Sequence, residues 1–410
     1  MTRNQHPYQQ RRLDDDETDD YGHDHGSSYA MTPQQQLQEE RKQHADVATA
    51  SGTNPYGAKS KKSKKCKVIG WSTLVVLLLA IGGVLAWYFV VYKKNEDKNG
   101  TIAVGPTVVS PNGTVITNVN YPLKRVFYGM AYVPMNAQLP NCFNTQATVD
   151  EELKLLVQTT KRVRLYGTDC NVLRFTMDSI QRLKLDLKVV VGIWIDADNT
   201  TYTRQRDEFY KVVETYGWEN IIGVSVGNEV IYDKYQVLSV LMAAIKEVKA
   251  WVMAKGQTTI PVFTSDLEEA NKPPLTSNGN EDLVGANIHP FFSGAPVAEA
   301  APWFWDYLER VKRVVNSDNT TPLEVLVTEI GWPTFPASAN RNASIPSIPN
   351  LQTFIDTWLC GANEKKLPYY YFEFFDAPWK IWPGSPAEGF WGLLTLDKKL
   401  KVKLPDCLID

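Results

Sequence analysis

The sequence predicts an α/β chain whose C-terminal part is a single (β/α)8 barrel, behind one transmembrane helix and a disordered tail. Three observations carry this. From Lys124 onward, eight short β-branched runs alternate with segments of helical period. Continuous apolar runs such as Val189-Val190-Val191 suit a parallel sheet covered by helices. Val68 to Tyr92 holds no charged side chain over 25 residues.

Taken in order, residues 1–67 read as a disordered cytoplasmic tail. The acidic run Asp14-Asp15-Asp16-Glu17 is followed by a Gln-rich stretch and a lysine cluster, a composition with too little apolar surface to fold. Residues 68–92 as a helix would span roughly 37 Å, enough for a ~30 Å hydrocarbon layer. Trp71 near one end, and Trp87, Tyr88 and Tyr92 near the other, sit where an interfacial belt belongs. The charged segment ahead is too long for a cleaved signal peptide. Lys59, Lys61, Lys62, Lys64, Lys65 and Lys67 precede the span, so its N-terminal side is cytoplasmic. Every Asn-x-Ser/Thr acceptor agrees: Asn99, close to the membrane, then Asn112, Asn199, Asn319 and Asn342 all follow the span. The expectation is a single-pass type II protein in the cell membrane, with the bilayer as partner through 68–92 and the large domain outside. Residues 93–121 form a Gly, Pro, Asn and Thr-rich stalk with a reach of roughly 30 Å.

The barrel domain occupies residues 122–410. Its expected strands are 126–132, 162–167, 188–194, 221–229, 260–265, 284–289, 325–330 and 369–375. Thr148-Val-Asp-Glu151 reads as a capping box opening the first helix. Val237, Leu238, Leu241, Ala244, Ile245, Val248, Trp251 and Val252 mark one apolar helix face. Two βα units look incomplete: Pro273 and Pro274 make 267–281 a loop, and 381–410 shows little helical pattern. Four cysteines lie in the oxidising compartment and allow three pairings. In a barrel, Cys142 and Cys170 each follow a strand and share the mouth, while Cys360 closes a helix at the other end. The expected bridges are Cys142–Cys170 and Cys360–Cys407.

Composition narrows the chemistry. A formal net charge of -3 gives no reason for a nucleic-acid partner. Of 5 histidines, only His289 lies beyond the tail, which argues against a metal centre and leaves carboxylates, hydroxyls and one imidazole for any catalysis. No cofactor is implied.

Strand ends at a barrel mouth mount catalytic groups. The fourth strand ends in Gly227-Asn228-Glu229, and the seventh in Thr328-Glu329-Ile330-Gly331-Trp332-Pro333. One strand-terminal glutamate is ordinarily a solvated residue. Two, on walls read as facing each other across the barrel, are the pair glycoside hydrolysis needs. Aromatic residues crowd the same end: Tyr132, Tyr166, Trp194, Phe291, Phe292, Trp332, Phe375, Trp379 and Trp391. They are offered as sugar-stacking faces or core. A rival motif, Gly223-Val-Ser225-Val-Gly227, matches the nucleophile elbow of serine esterases, with Asp266 or Asp282 and then His289 in triad order downstream. The β-branched neighbours of Ser225 suit a strand better than a strained turn.

In this order the motifs resemble glycoside hydrolase family 17, the retaining endo-1,3-β-glucanases. The similar stretches include Tyr128-Gly-Met-Ala-Tyr132, Val163-Arg-Leu-Tyr-Gly167, Gly-Asn-Glu-Val at 227–230, Asn287-Ile-His-Pro-Phe291, Thr328-Glu-Ile-Gly-Trp-Pro333, Tyr371-Phe-Glu-Phe-Phe-Asp376 with Trp379-Lys380, and Glu388 to Leu393. Tail and anchor together look like the membrane-bound fungal branch. The resemblance implies endo-hydrolysis of 1,3-β-glucan in cell-wall remodelling, with Glu229 as acid/base, Glu329 as nucleophile and Asn228 on the sugar 2-hydroxyl. Tyr132, Tyr166, His289, Trp332, Phe375, Lys380 and Glu388 complete the expected substrate contacts. Plant members carry Tyr where His289 stands and an acidic residue where Ala377 stands. Glucanosyl transfer through the same glutamates, and a non-catalytic glucan-binding module, are the alternatives to hydrolysis.

Overall fold

A computed structural model describes residues 121–407 except 269, 272, 278 and 319–321, together with a two-residue antiparallel pair, Val108–Val109 with Val115–Ile116. The expected tail, the 68–92 span, most of the stalk, Asn99, Asn112 and Asn319 lie outside the described residues. Among the described residues no helix is long and apolar enough to cross a membrane.

Eight parallel strands close into a barrel. They are β1 (Gly129–Ala131), β2 (Arg162–Arg164), β3 (Lys188–Ile193), β4 (Ile221–Asn228), β5 (Val262–Asp266), β6 (Val284–Asn287), β7 (Val325–Ile330) and β8 (Tyr369–Tyr371). Each pairs with its sequence neighbours, and β8 pairs back onto β1 through Tyr370 and Gly129. The runs are apolar on both faces because one face fills the barrel and the other meets the helices. Inside, Val190, Phe263, Leu326 and Tyr370 form a separate buried cluster.

The helices follow their strands. They are α1 (Gln146–Leu156), α2 (Val172–Leu183), α3 (Asn199–Tyr216), α4 (Leu238–Ala254), α5 (Ala300–Val315) and α6 (Ile348–Phe354), the last continuing through a π turn, Ile355–Leu359, into Cys360–Glu364. In α5 the buried positions Ala300, Ala301, Phe304, Leu308, Val311 and Val315 recur at helical spacing, the stripe that lies on the sheet.

Two local expectations change. The cap of α1 is Thr145, whose hydroxyl accepts from the Thr148 N–H at 3.2 Å, so the helix opens before the Thr148 box. Thr145 is extended and can turn its oxygen onto the free amides. Glu151 reaches instead to Lys398. Val237 is not on the buried face of α4: it is the capping position and 66% exposed, while Leu241, Ala244, Ile245, Val248 and Val252 are buried.

The incomplete units are as read. Between β5 and β6 no helix forms among the described residues; Asn271 braces that loop by donating to the carbonyls of Asp266 and Gly285, both at 2.8 Å. After β8, short 3-10 turns and isolated bridges (Phe375 to Leu394, Leu394 to Leu400) replace a helix. Buried Lys401 fastens this segment, donating to Asp376 at 2.6 Å and Thr334 at 2.9 Å. Both expected disulfides are present, Cys142–Cys170 and Cys360–Cys407. They sit at opposite ends: the first follows β1 and β2, and the second lies by Asn363, which donates to the Val126 carbonyl ahead of β1.

The ring order corrects one geometric expectation. β4 and β7 are three places apart, with β5 and β6 between them, and do not face each other across the barrel. In an eight-stranded ring the opposite of β4 is β8. The two glutamates therefore share one side of the mouth, and β6 supplies the residues that lie between them.

Candidate active site

β4 ends in a bulge. Its register against β5 shifts between Ser225 and Asn228. Gly227 takes φ 83, and a Cβ there would lie 2.5 Å from the Val230 side chain, so glycine is required. Glu229 is also left-handed, at φ 52, with its N–H on the Ser265 carbonyl at 2.8 Å. Bulges at strand ends re-aim the side chains beyond them. This one turns Glu229 toward β6.

Glu329 lies within β7 and is 5% exposed. Three groups, two from the end of β2 and one from just after β6, donate to it. Arg164, the last residue of β2 and 1% exposed, reaches Oε1 at 3.0 Å; Tyr166 donates its hydroxyl to Oε1 at 2.8 Å; His289 Nε2 lies 3.0 Å from Oε2. The Arg164 guanidinium also stacks over the Tyr166 ring at 4.5 Å, which holds both donors in place.

One chain of hydrogen bonds joins the glutamates. Arg164 Nη2 donates to Asn228 Oδ1 at 2.7 Å. Asn287, the end of β6, donates to Asn228 Oδ1 at 3.2 Å and to Glu229 Oε1 at 2.8 Å. Thr328 donates to Asn287 Oδ1 at 2.7 Å, which sets which way that amide faces. Asn228, its oxygen held by two donors, has its Nδ2 left to bind a ligand hydroxyl.

The surroundings separate the two acids. Burial raises the Glu229 carboxyl well above the usual range; the Glu329 charge and those of Asp233 and Asp266 add to the rise, against one opposing bond from Asn287. Glu229 keeps some contact with solvent through the cleft, which screens part of this. Burial also acts to raise Glu329, yet His289, Arg164 and Tyr166 outweigh it and bring the carboxyl down to about 2. The surroundings thus favour the protonated form of Glu229 and the ionised form of Glu329.

A second ion pair completes the floor. Glu373, buried just after β8, is pushed up to about 7 by burial, and Lys380 opposes this with bonds of 2.8 Å to both oxygens. The Lys380 ammonium lies 4.5 Å over the Phe372 ring and 6.0 Å from that of Tyr166.

Of the residues the sequence nominated, Glu229, Glu329, Asn228, Tyr166 and His289 are drawn into one network, with Lys380 beside it. Three are corrected. Tyr132, Trp332 and Phe375 are buried and present no face to a sugar. The Tyr132 hydroxyl donates to Glu152 at 2.6 Å, and the Trp332 indole to the Ile345 carbonyl at 3.1 Å. A ring with no exposed face cannot stack on a ligand. Glu388 accepts from Ser385 at 3.0 Å and shares no hydrogen bond with either glutamate. Of the nominated rings, Phe292, edge-on to His289, and Trp379, beside Lys380, are exposed. Arg164, Asn287, Thr328 and Glu373 were not singled out, although all four lie in the quoted motifs; their polar types at strand ends were the available signal. Ser225 is buried within β4 and bonded to Ser265 at 2.9 Å, while His289 is engaged with Glu329. Ser225 therefore forms no nucleophile elbow.

Residues 129–392 match the model of the BtgE/BtgC glycoside hydrolase domain. The chain belongs to that family. This agrees with the resemblance to glycoside hydrolase family 17. Among curated relatives, the putative glucan endo-1,3-β-glucosidase btgC of Aspergillus niger is 35% identical over 311 residues, 70% of this chain and 45% of the relative. The glucan endo-1,3-β-glucosidase btgC of Emericella nidulans is 31% identical over 313 residues, 70% of this chain and 47% of the relative. The matched part thus spans about half the length of these relatives. Among solved structures, a Rhizomucor miehei β-1,3-glucanosyltransferase active-site mutant in complex with laminaritriose superposes with a TM-score of 0.58, at 23% identity, over 70% of this chain and 98% of that one. An endo-laminarinase from Formosa Hel1_33_131 gives 0.57 at 16% identity, over 67% and 84%. These two share the fold.

Proposed function

We propose that this BtgE/BtgC-family domain is a retaining endo-1,3-β-glucanase. The observation that carries the reading is the pair of glutamates in one hydrogen-bond network, Glu329 held by three donors and Glu229 by one. The relatives' names supply the linkage. Glu329 Oε attacks the anomeric carbon as Glu229 gives its proton to the departing glycosidic oxygen, forming a glucosyl ester on Glu329. Glu229, now a carboxylate, takes a proton from water, whose oxygen displaces Glu329 and regenerates both groups. Asn228 Nδ2 is placed to bind the 2-hydroxyl beside the reacting carbon. Lys380, Phe292 and Trp379 are the accessible contacts for the flanking sugars.

The same ester can pass to a sugar hydroxyl, so the test reads both stereochemistry and size. On a soluble 1,3-β-glucan, proton NMR shows the β-anomer first, and product sizing shows chains shorter than the substrate. First appearance of the α-anomer overturns the retaining mechanism, and products longer than the substrate convert the reading to glucanosyl transfer.

The reading extends to the whole chain: residues 68–92 anchor it in the cell membrane, and the barrel faces the wall. The sequon pattern supports this, with Asn342 on an exposed turn the best-presented acceptor of the described residues. Asn199 opens α3, and its side chain accepts from Gln236 at 3.1 Å. Endoglycosidase treatment of the native protein should lower its mass, and deleting 68–92 should release it from membranes. A protein that keeps its mass, or stays membrane-bound without the span, contradicts this placement.

A further inference from the structure

Asp266 ends β5 beside the site, is wholly buried, and has no part in the chemistry above. It is not a spare acid. Oδ2 accepts the Ile231 N–H at 3.0 Å, Oδ1 accepts the Leu267 N–H at 2.8 Å, and the Tyr232 N–H also points to the carboxylate. Its own carbonyl is held by Asn271 at 2.8 Å, and Asn271 is tied in turn to β6 through the Gly285 carbonyl. The carboxylate thus joins the turn after β4 to a braced point on β5 and β6.

That turn needs holding. Glu229 has a left-handed backbone, a conformation that persists in a non-glycine residue only where the surroundings over-determine it. On its N-terminal side the Glu229 N–H is fixed to the Ser265 carbonyl. On its C-terminal side the Asp266 carboxylate captures the amides of residues 231 and 232. Ser265 and Asp266 therefore grip Glu229 from both flanks. A neutral side chain could not serve both sides: asparagine offers one acceptor oxygen and turns an NH2 toward the other amide.

The structure assigns Asp266 as a positioning residue for Glu229, setting where the acid/base carboxyl sits while touching no substrate itself. This rests on the proposed glucanase mechanism. Glu229 faces charges from several elements (Glu329 on β7, Asp233 in its own turn, Asp266 on β5) with Asn287 as its donor, so a pH profile alone would mix their effects. Leaving-group dependence isolates the acid/base instead. A dinitrophenyl glycoside needs no protonation to depart, so its first step bypasses Glu229, whereas an unactivated glucan does not.

The experiment uses Asp266→Asn in the full-length chain, with laminarin and 2,4-dinitrophenyl β-laminaribioside as substrates. Should Asp266→Asn not fold, Asp266→Ser, which leaves room for water at the freed amides, takes its place. The expected result is a fall in laminarin kcat of roughly 10²-fold, the cost of a misplaced catalytic group. The dinitrophenol burst rate should stay within about threefold of wild type, and azide should speed the second step by trapping the glucosyl ester. A parallel fall in burst and laminarin turnover, without azide rescue, would mean a merely structural role and overturn the assignment. Unchanged laminarin turnover overturns it equally. Wild type and Glu229→Ala run alongside. If wild type does not give the β-anomer first, or Glu229→Ala shows no azide rescue, the glucanase mechanism fails; if both behave as expected and Asp266→Asn does not, only the role of Asp266 falls.

Discussion

Glu329 and Glu229 are the same side chain on the same rim, in opposite company. Around Glu329, β2 and β6 deliver a guanidinium, a phenol and an imidazole at 2.8 to 3.0 Å, and the carboxyl falls to about 2 despite its burial. Around Glu229 there is one amide donor and three carboxyl neighbours, and the group rises. Burial pushes both upward, so it is the count and charge of donors that divides nucleophile from acid. The division also feeds itself, because the ionised Glu329 is one reason Glu229 keeps its proton.

The largest break in this contrast is removal of Glu329, the proposed nucleophile. Glu329→Gln should cut turnover of soluble 1,3-glucan by roughly 10⁵-fold, measured by reducing ends, since a neutral amide is a poor nucleophile for forming the glucosyl ester. Glu229→Ala should cost about 10³-fold on the same substrate, within the usual range for general acid–base catalysis, and should remove the alkaline limb of the kcat/KM profile. In wild type that limb lies above the ordinary carboxylate range and the acid limb below it, so the plateau is broad.

Arg164→Met sharpens the contrast by making the donor-rich wall poorer. It leaves Glu329 with Tyr166 and His289, so the acid limb of the profile should move to higher pH, and turnover should drop by about 10²-fold through loss of electrostatic positioning. Breaking so buried a pair also costs about 3–5 kcal/mol in denaturant melts. His289→Ala removes the partner that lowers the Glu329 carboxyl most, so it should shift the acid limb in the same direction at least as far, with about a tenfold loss of turnover.

The smallest effect concerns acids outside the reaction. Burial pushes Glu152 and Glu373 up to about 7 and Glu281 up to about 8. Between the ordinary glutamate value and pH 8 the folded state therefore binds more protons than the unfolded chain, and stability falls as pH rises through that window. Melting temperature should decline from pH 5 to pH 8. Glu281→Gln should flatten the decline, since its Oε1 still accepts the Thr264 N–H while its unpartnered Oε2 no longer ionises. An unchanged slope would remove Glu281 from the account.

Much of this was legible in the chain. The alternation of β-branched runs with helical stripes fixes the barrel, because a strand apolar on both faces needs covering on both. Pro273-Pro274 announces the missing helix, and Gly-Asn-Glu with Glu-Ile-Gly-Trp-Pro announces the acids. The misreadings share a cause. Tyr132, Trp332 and Phe375 carry the right side chains at strand ends, yet alternation along a strand sends some rings into the wall, and no residue type encodes that choice. Thr145 and Thr148 are chemically equal caps, and only the path of the preceding loop selects between them.

What the sequence by itself determined is the set of elements and the strand ends that carry the two glutamates, since each follows from local period or turn chemistry, whereas the cysteine partners follow only once those elements close into a barrel. What the tertiary structure alone decided is the set of partners that drives the two carboxyls apart. That set includes Arg164, Tyr166, His289 and Asn287, brought together from β2 and β6 across more than a hundred residues of chain. Their fields act through space over a few ångströms, a distance that only closure of the barrel sets.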